Sequence, residues 1–247
     1  IIRNTIVILM LCVLASTVQA QEAEKPSVFT YATYFYCDVN GQDRVDEIVK
    51  TMDAPIYDQM VKEGLIMGWG WLSHHTGGKW RRISYYQAPS VAALLDAQAE
   101  MQKRFADRGD ADRDFGAICN AHEDYIWEVE SGSSGKERGK AGFSVYYRCD
   151  ESKEARADEI FAKDFAPVFD KYVAAGKLSS WGWSSHWVGG AFRRLQTMTA
   201  SDHKTLLAAR AELIDEMYAD ENEAGKEFNA ICGSHSDYMW DIELETP

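Results

Sequence analysis

Basic residues are the first shortage in this sequence. Only 26 Lys and Arg stand against 39 Asp and Glu, and the formal net charge is −13. Such a chain repels phosphate backbones, which argues against nucleic acid as a partner. The excess acid falls mostly on segments expected to be helical, where it reads as solvated surface. Long apolar runs are equally scarce. The one near the start, Ile6 to Leu14, is too short for a spanning helix, and no later stretch approaches the length needed. Several catalytic signatures are also missing. There is no glycine-rich phosphate loop, no Gly-x-Ser-x-Gly elbow, no His-Glu-x-x-His and no Cys-x-x-Cys-His. The phosphate, serine-hydrolase, zincin and attached-haem chemistries tied to them are therefore not indicated.

The first twenty residues read as a signal peptide. Arg3 supplies a short positive region, the apolar run follows, and Val18-Gln19-Ala20 suits cleavage before Gln21. The expected product is exported to a periplasmic or extracellular setting, where disulfides persist. Of five cysteines, Cys12 leaves with the leader, so Cys37, Cys119, Cys149 and Cys232 remain. No membrane association is expected after the leader is removed.

What the chain does contain is a repeat. Trp69-Gly70-Trp71-Leu72-Ser73-His74, Gly77-Gly78 and Trp80-Arg81-Arg82 recur 112 positions later. There they read Trp181-Gly182-Trp183-Ser184-Ser185-His186, Gly189-Gly190 and Phe192-Arg193-Arg194. Upstream, Tyr34 with Cys37 matches Tyr146 with Cys149, and Ala54-Pro55 matches Ala166-Pro167. Downstream the offset becomes 113, pairing Cys119, His122, Tyr125 and Trp127 with Cys232, His235, Tyr238 and Trp240. Two units of this length are each domain-sized, and gene duplication is the simplest origin. The expected organisation is a leader over 1–20, a first repeat over 21–130, a flexible linker over 131–141 and a second repeat over 142–247.

Within each unit, periodicity predicts the order β-α-β-β-α-β, the ferredoxin-like arrangement. In the first copy the strands are placed over 29–36, 65–75, 79–87 and 123–130. The first helix, over 43–63, should be kinked or divided at Pro55 and capped by Gly64. Ser90 should cap the second helix. The fold class is thus α+β, two tandem ferredoxin-like βαββαβ repeats packed as an α/β barrel within one chain. No second copy of the chain is required to close it.

Two such units in one chain resemble the dimeric α/β-barrel superfamily. Chlorite-dismutase-like proteins show that pairing within a single chain. The run Pro55, Gly64, Gly68-Trp69-Gly70-Trp71, Gly77 and Trp80 is similar in outline to the NIPSNAP branch. The resemblance implies two sheets facing each other around a pocket. It spans oxygenases, haem proteins, lyases and proteins without known activity, so it decides little about function.

Strand alternation then assigns faces. With Gly77-Gly78 as the hairpin turn, Ser73 opposes Arg82, Trp71 opposes Ser84, and Trp69 opposes Tyr86. This face is expected to look into the barrel, because Gly70, Leu72 and Ile83 on the other suit helix packing. Setting Cys37 opposite Cys119 places Tyr34 against His122 and Ala32 against Asp124. The expected inner site is therefore Tyr34, Trp69, Trp71, Arg82, His122 and Asp124, with the copies Tyr146, Trp181, Trp183, Arg194, His235 and Asp237. His122 and His235 are candidate catalytic bases, and the remaining residues candidate ligand contacts. Their plainer roles are cross-strand hydrogen bonds, Arg–Asp pairs and aromatic filling.

His74 and His186, opposite Arg81 and Arg193, are expected to be exposed, while His75 and His203 receive no role. Cys119-x-x-His122 has metal-like spacing but lacks a fourth ligand, so no metal is assigned. Neighbouring first and fourth strands favour the disulfides Cys37–Cys119 and Cys149–Cys232, with Cys37–Cys149 and Cys119–Cys232 as the alternative pairing. The functional expectation is an exported binding protein for a small aromatic or carboxylate ligand. A cofactor-independent oxygenase or lyase and a haem-binding protein are the alternatives, and the cofactor is left open.

Overall fold

A computed structural model describes residues 27–219 and 221–246. The expected leader over 1–20 lies outside the described residues. The first half contains β1 (Phe29–Tyr36), α1 (Gln42–Ile48), α2 (Ala54–Lys62), β2 (Gly68–Thr76), β3 (Arg82–Ala88), α3 (Val91–Phe105), α4 (Asp110–Ile118) and β4 (Ala121–Ser134). The second contains β5 (Ala141–Arg148), α5 (Glu154–Ile160), α6 (Ala166–Ala174), β6 (Ser180–Val188), β7 (Arg194–Ala200), α7 (His203–Met217), α8 (Glu223–Cys232) and β8 (Ser234–Glu245).

Local chemistry explains the helix breaks. Pro55 has no N–H to donate, and the preceding residues Val49–Asp53 form a π-helical turn that leads into α2 with proline in its first turn. Phe161–Phe165 and Pro167 repeat this device before α6. Gly64 and Gly176 end α2 and α6 with φ of 73° and 69°. Ser90 caps α3 by accepting from Ala93 N at 3.1 Å.

The strands form one closed antiparallel barrel in the order β1-β3-β2-β8-β5-β7-β6-β4. Within each half the order is ferredoxin-like. The halves close edge to edge, β2 on β8 and β4 on β6. This closure removes the expected linker in part: Ser131–Ser134 continue β4 and pair with Trp183–Ser180 of β6. An edge strand leaves N–H and C=O groups unmatched, and extending β4 satisfies them.

Buried side chains form three layers. Two lie between the barrel wall and the helices, one for each half. The third fills the barrel, with Tyr34, Trp80, Tyr125, Trp127, Tyr146, Phe192, Tyr238 and Trp240 as its largest members. The Tyr34 ring centroid lies 4.3 Å from Trp80, 5.6 Å from Tyr125 and 5.5 Å from Tyr146. These are contact distances, so aromatic rings occupy the middle of the space between the sheets.

The β2–β3 register is the expected one, with Ser73 on Arg82, Trp71 on Ser84 and Trp69 on Tyr86. Its face is the opposite of the expected one. Trp69, Trp71 and Tyr86 pack beneath the helices, and Ile83, Leu72 and Tyr85 look inward. Gly70 is small for a different reason than helix packing. A Cβ there would sit 2.4 Å from the Tyr85 ring, which lies across it.

The β1–β4 register is shifted by one residue from the expected alignment. Tyr34 opposes Glu123, and His122 opposes Phe35. In the second half Tyr146 opposes Ser236, and His235 opposes Tyr147. A one-residue shift reverses every side chain of a strand. Tyr125, Trp127, Tyr238 and Trp240 therefore point inward, while Ile126 and Met239 join the helix layers. The cause is the cysteine used as anchor: Cys119 is the C-cap of α4 and stands outside the ladder, which begins at Tyr36 and Ala121. The bridges themselves are Cys37–Cys119 and Cys149–Cys232, as expected.

Candidate functional site

The residues singled out from the sequence separate into three places. Tyr34 and Tyr146 are inside the barrel, as expected, and both are almost fully buried. The Trp127 indole donates to the Tyr34 hydroxyl at 3.2 Å. Burial raises both phenols well above their ordinary range, so they stay protonated. Tyr36 bonds Glu123 near them, and burial with that carboxylate pushes its hydroxyl up to about 12.

Arg82, Trp69 and Trp71 sit on the helix side and meet acids from α1 and α2. Arg82 Nε and Nη2 donate to the two oxygens of Asp46 at 2.7 and 2.6 Å. Its Nη1 donates to Gln42 Oε1 and to the Arg81 carbonyl. Trp71 Nε1 donates to Asp46 Oδ1 at 2.8 Å, and Trp69 Nε1 to Asp58 Oδ1 at 2.9 Å. The set recurs in the second half: Arg194 and Trp183 hold Asp158, and Trp181 holds Asp170. There Glu154 takes the place of Gln42 and receives both Arg193 and Arg194. Burial opposes the Arg194 charge, yet Asp158 and Glu154 outweigh it and hold the guanidinium above its ordinary value.

The sequence expectation for the two arginines is a clamp on a ligand carboxylate or a pair with Asp124 and Asp237. Neither arrangement is found, because their bidentate faces are closed by Asp46 and Asp158. Sequence reading missed these acids. The signal was present, since Asp46 and Asp158 share the 112-residue offset.

His122 and His235 lie at the starts of β4 and β8, about half exposed on the outer face rather than in the barrel. Each is held by the acid two residues on, His122 Nδ1 at 3.1 Å from Asp124 and His235 Nδ1 at 2.6 Å from Asp237. Arg210 also donates to Asp237 at 3.1 Å. His74 and His186 are less exposed than expected, and Arg81 and Arg193 donate to them. Burial and those guanidiniums lower both imidazoles.

A half-open cleft of about 300 Å³ joins the halves at the β2–β8 seam. Asp43, Asp46, Glu47 and Lys50 line it from α1 and the π turn, Trp71 from β2, and Glu243 and Leu244 from β8. Ser73 Oγ donates to Glu243 Oε1 at 2.6 Å. Asp43 and Lys50 have no charged equivalents in the second half, where the matching positions are Ala155 and Ala162. A second cleft of about 220 Å³ is lined by Lys171, Tyr172, Ala175, Lys177 and Glu212. Neither cleft presents a His, Cys or Met side chain, and all six described histidines are engaged by Arg or Asp. The first cleft thus offers no axial haem ligand, and in the second the Tyr172 hydroxyl donates to Glu212 Oε2 at 3.3 Å.

No protein-family model and no curated protein matches the sequence. Solved structures do match in fold. A candidate monooxygenase from Lactobacillus acidophilus NCFM superposes with TM-score 0.57 at 9% identity, over 90% of this chain and 96% of that one. An anthrone oxidase-like protein gives 0.55 at 15% identity, over 90% and 93%. A mutant chlorite dismutase from Candidatus Nitrospira defluvii, in complex with cyanide, gives 0.54 at 8% identity, over 90% and 93%. The chain has the fold of these dimeric α+β-barrel proteins. At such identities the likeness extends to the fold alone.

Proposed function

We propose that this chain is an exported small-ligand-binding protein that takes its ligand in the cleft between α1 and β8. The observation that carries this reading is the cleft's lining: four carboxylates and Lys50 beside the Trp71 indole, at the lower end of small-molecule pocket volumes. Arg82 is already neutralised by Asp46, so the local field is negative. That chemistry favours a small organic cation, such as a primary amine or diamine, over the carboxylate expected from the sequence. The aromatic packing between the sheets removes the main reason for placing the ligand there.

Export rests on the apolar leader over 1–20, with the two disulfides in support, and the repeats are taken to span 21–130 and 142–247. The recurrence of the Arg–Asp–Trp set supports a tandem duplication. The NIPSNAP-like outline belongs to the same reading. Among the described residues, no helix is long and apolar enough to cross a membrane.

Thermal-shift and calorimetric titration with small amines and carboxylates tests the proposal. Amines should raise Tm and carboxylates should not, and Asp43→Asn with Glu243→Gln should weaken the amine response at least about tenfold, the equivalent of 1.4 kcal/mol. A carboxylate response, or an amine response untouched by those substitutions, would overturn it. One observation favours a second, enzymatic reading. Asp237 orients His235 through a 2.6 Å contact, as a general base requires. Substrate turnover lost in His235→Ala or His122→Ala, with the fold retained, would select that reading.

A further inference from the structure

We infer that His75, His203 and Asp241 form a binding site for one divalent transition-metal ion of the zinc class, stapling the two halves of the barrel at the β2–β8 seam. His203 Nε2 lies 2.7 Å from Asp241 Oδ1, and His75 Nδ1 lies 3.2 Å from Asp241 Oδ2. The imidazole rings stack with centroids 3.7 Å apart and planes 25° from parallel. One ligand atom from each residue falls within 4.8 Å of the other two. Tetrahedral zinc has bonds of roughly 2.0–2.2 Å to His nitrogen and carboxylate oxygen, so its ligand atoms stand a little over 3 Å apart. His75 and Asp241 are both about half exposed, so His75 has room to turn out of the ring stack until its lone pair and that of His203 meet at one point, with solvent at the fourth position.

The backbone brings these groups together from separate elements. Pairing of β2 with β8 shifts between His74 and Thr76, which puts His75 in a β-bulge. His203 is the first residue of α7, held there by the Asp202 cap. Asp241 is in β8, opposite Ser73 of β2 and Ala141 of β5. Three elements thus deliver three ligands, one from the first half and two from the second.

The other seam serves as an internal control. β4 and β6 shift register at the same place, between Ile126 and Trp127, and the bulged residue there is Trp187. The position matching His203 is Val91, and that matching Asp241 is Glu128. Trp187 packs edge-on against Phe29 at 5.4 Å. The backbone device is therefore present at both seams, but both nitrogen donors are confined to one. Packing alone is met by Trp and Val, so it does not call for two histidines on one carboxylate. Two imidazoles and a carboxylate suit zinc, and nickel or copper by affinity order, better than magnesium or calcium.

The test is calorimetric titration of the full, disulfide-intact protein with zinc chloride near neutral pH, alongside cobalt(II) absorption spectra. The expected result is one equivalent bound, with ligand-field bands of nitrogen–oxygen coordination. Affinity should fall at least about tenfold in His75→Ala and in His203→Ala, no less than the loss typical of removing a mere outer-shell partner. The double variant should lose the site, and zinc should raise Tm only where it binds. His75→Gln, at an exposed bulge, serves if an alanine variant folds poorly by circular dichroism. Absence of binding by the parent, or equal binding by parent and folded variants, would overturn the inference. Neither result bears on amine binding in the α1–β8 cleft, whose carboxylates are other residues.

Discussion

At the residue scale, the strongest polar feature is an arginine buried against a helix-borne aspartate, once in each half. Arg82 and Arg194 are 5% and 4% exposed. Such pairs contribute little net stability when intact, yet losing one partner leaves an uncompensated charge and costs about 3–5 kcal/mol. The halves differ in a way that can be measured. Asp46→Ala strips Arg82 of its only anionic partner among the described residues, because Gln42 is neutral, and removes the Trp71 acceptor just as Asp158→Ala removes that of Trp183. Asp158→Ala leaves Glu154 on Arg194 Nη1 at 3.0 Å. Burial disfavours the Glu154 charge, but Arg193 and Arg194 prevail and hold its carboxyl below the ordinary 4.5. It therefore stays ionised at neutral pH and continues to compensate the arginine. Urea unfolding should place the Asp46→Ala loss in the range of about 3–5 kcal/mol and the Asp158→Ala loss below it. Equal losses, or both under about 1 kcal/mol, would show that these pairs are solvent-relaxed instead.

At the element scale, each disulfide ties the end of the first strand of a half to the C-terminus of the helix before its last strand. The bridged positions are 82 and 83 residues apart. Loop-closure entropy assigns such bridges about 4 kcal/mol each. Replacing Cys37 and Cys119 together by serine should lower stability by that order, and Cys149 with Cys232 by a similar amount, as read from denaturant midpoints. Unchanged midpoints would show that the reduced chain retains the loop closure without sulfur.

The same elements show what the sequence disclosed. Strand order, the Pro55 break, the Ser90 cap and the β2–β3 register were legible because each rests on local chemistry or on a two-glycine hairpin. Facing was not. Trp69 and Trp71 alternate with Gly70 and Leu72, and alternation alone does not say which side of a sheet the helices cover. Both sides of this wall are buried, so the usual polar marker of an outer face is missing. The β1–β4 offset was lost because Cys119 belongs to a helix cap, and one residue of error moved His122 and His235 from the barrel to its exterior. The His75–His203–Asp241 set was invisible for a different reason. Its members lie far apart in sequence, and two of them have no counterpart of like chemistry in the other repeat.

At the scale of the whole molecule, neither half can satisfy its own edges. β2 and β4 are the outer strands of the first sheet, and when both halves are present they pair with β8 and β6. Cut out alone, the half ending at Ser134 would expose both edges and an inner face carrying Tyr34, Trp80, Tyr125 and Trp127. A face of that kind drives association, and an open strand edge directs it toward another strand. The expected partner is a second copy. It presents the same β2 and β4 edges around a twofold axis, and an isologous contact closes on itself. Residues 27–135 expressed alone should therefore form a folded dimer, with monomer appearing only as dilution unfolds it, because such obligate pairs lose stability with concentration. Sedimentation equilibrium and circular dichroism over a dilution series check this. A folded monomer at low concentration would mean that the inner aromatic layer is completed within one half, and that the seams contribute little to the stability of the intact barrel.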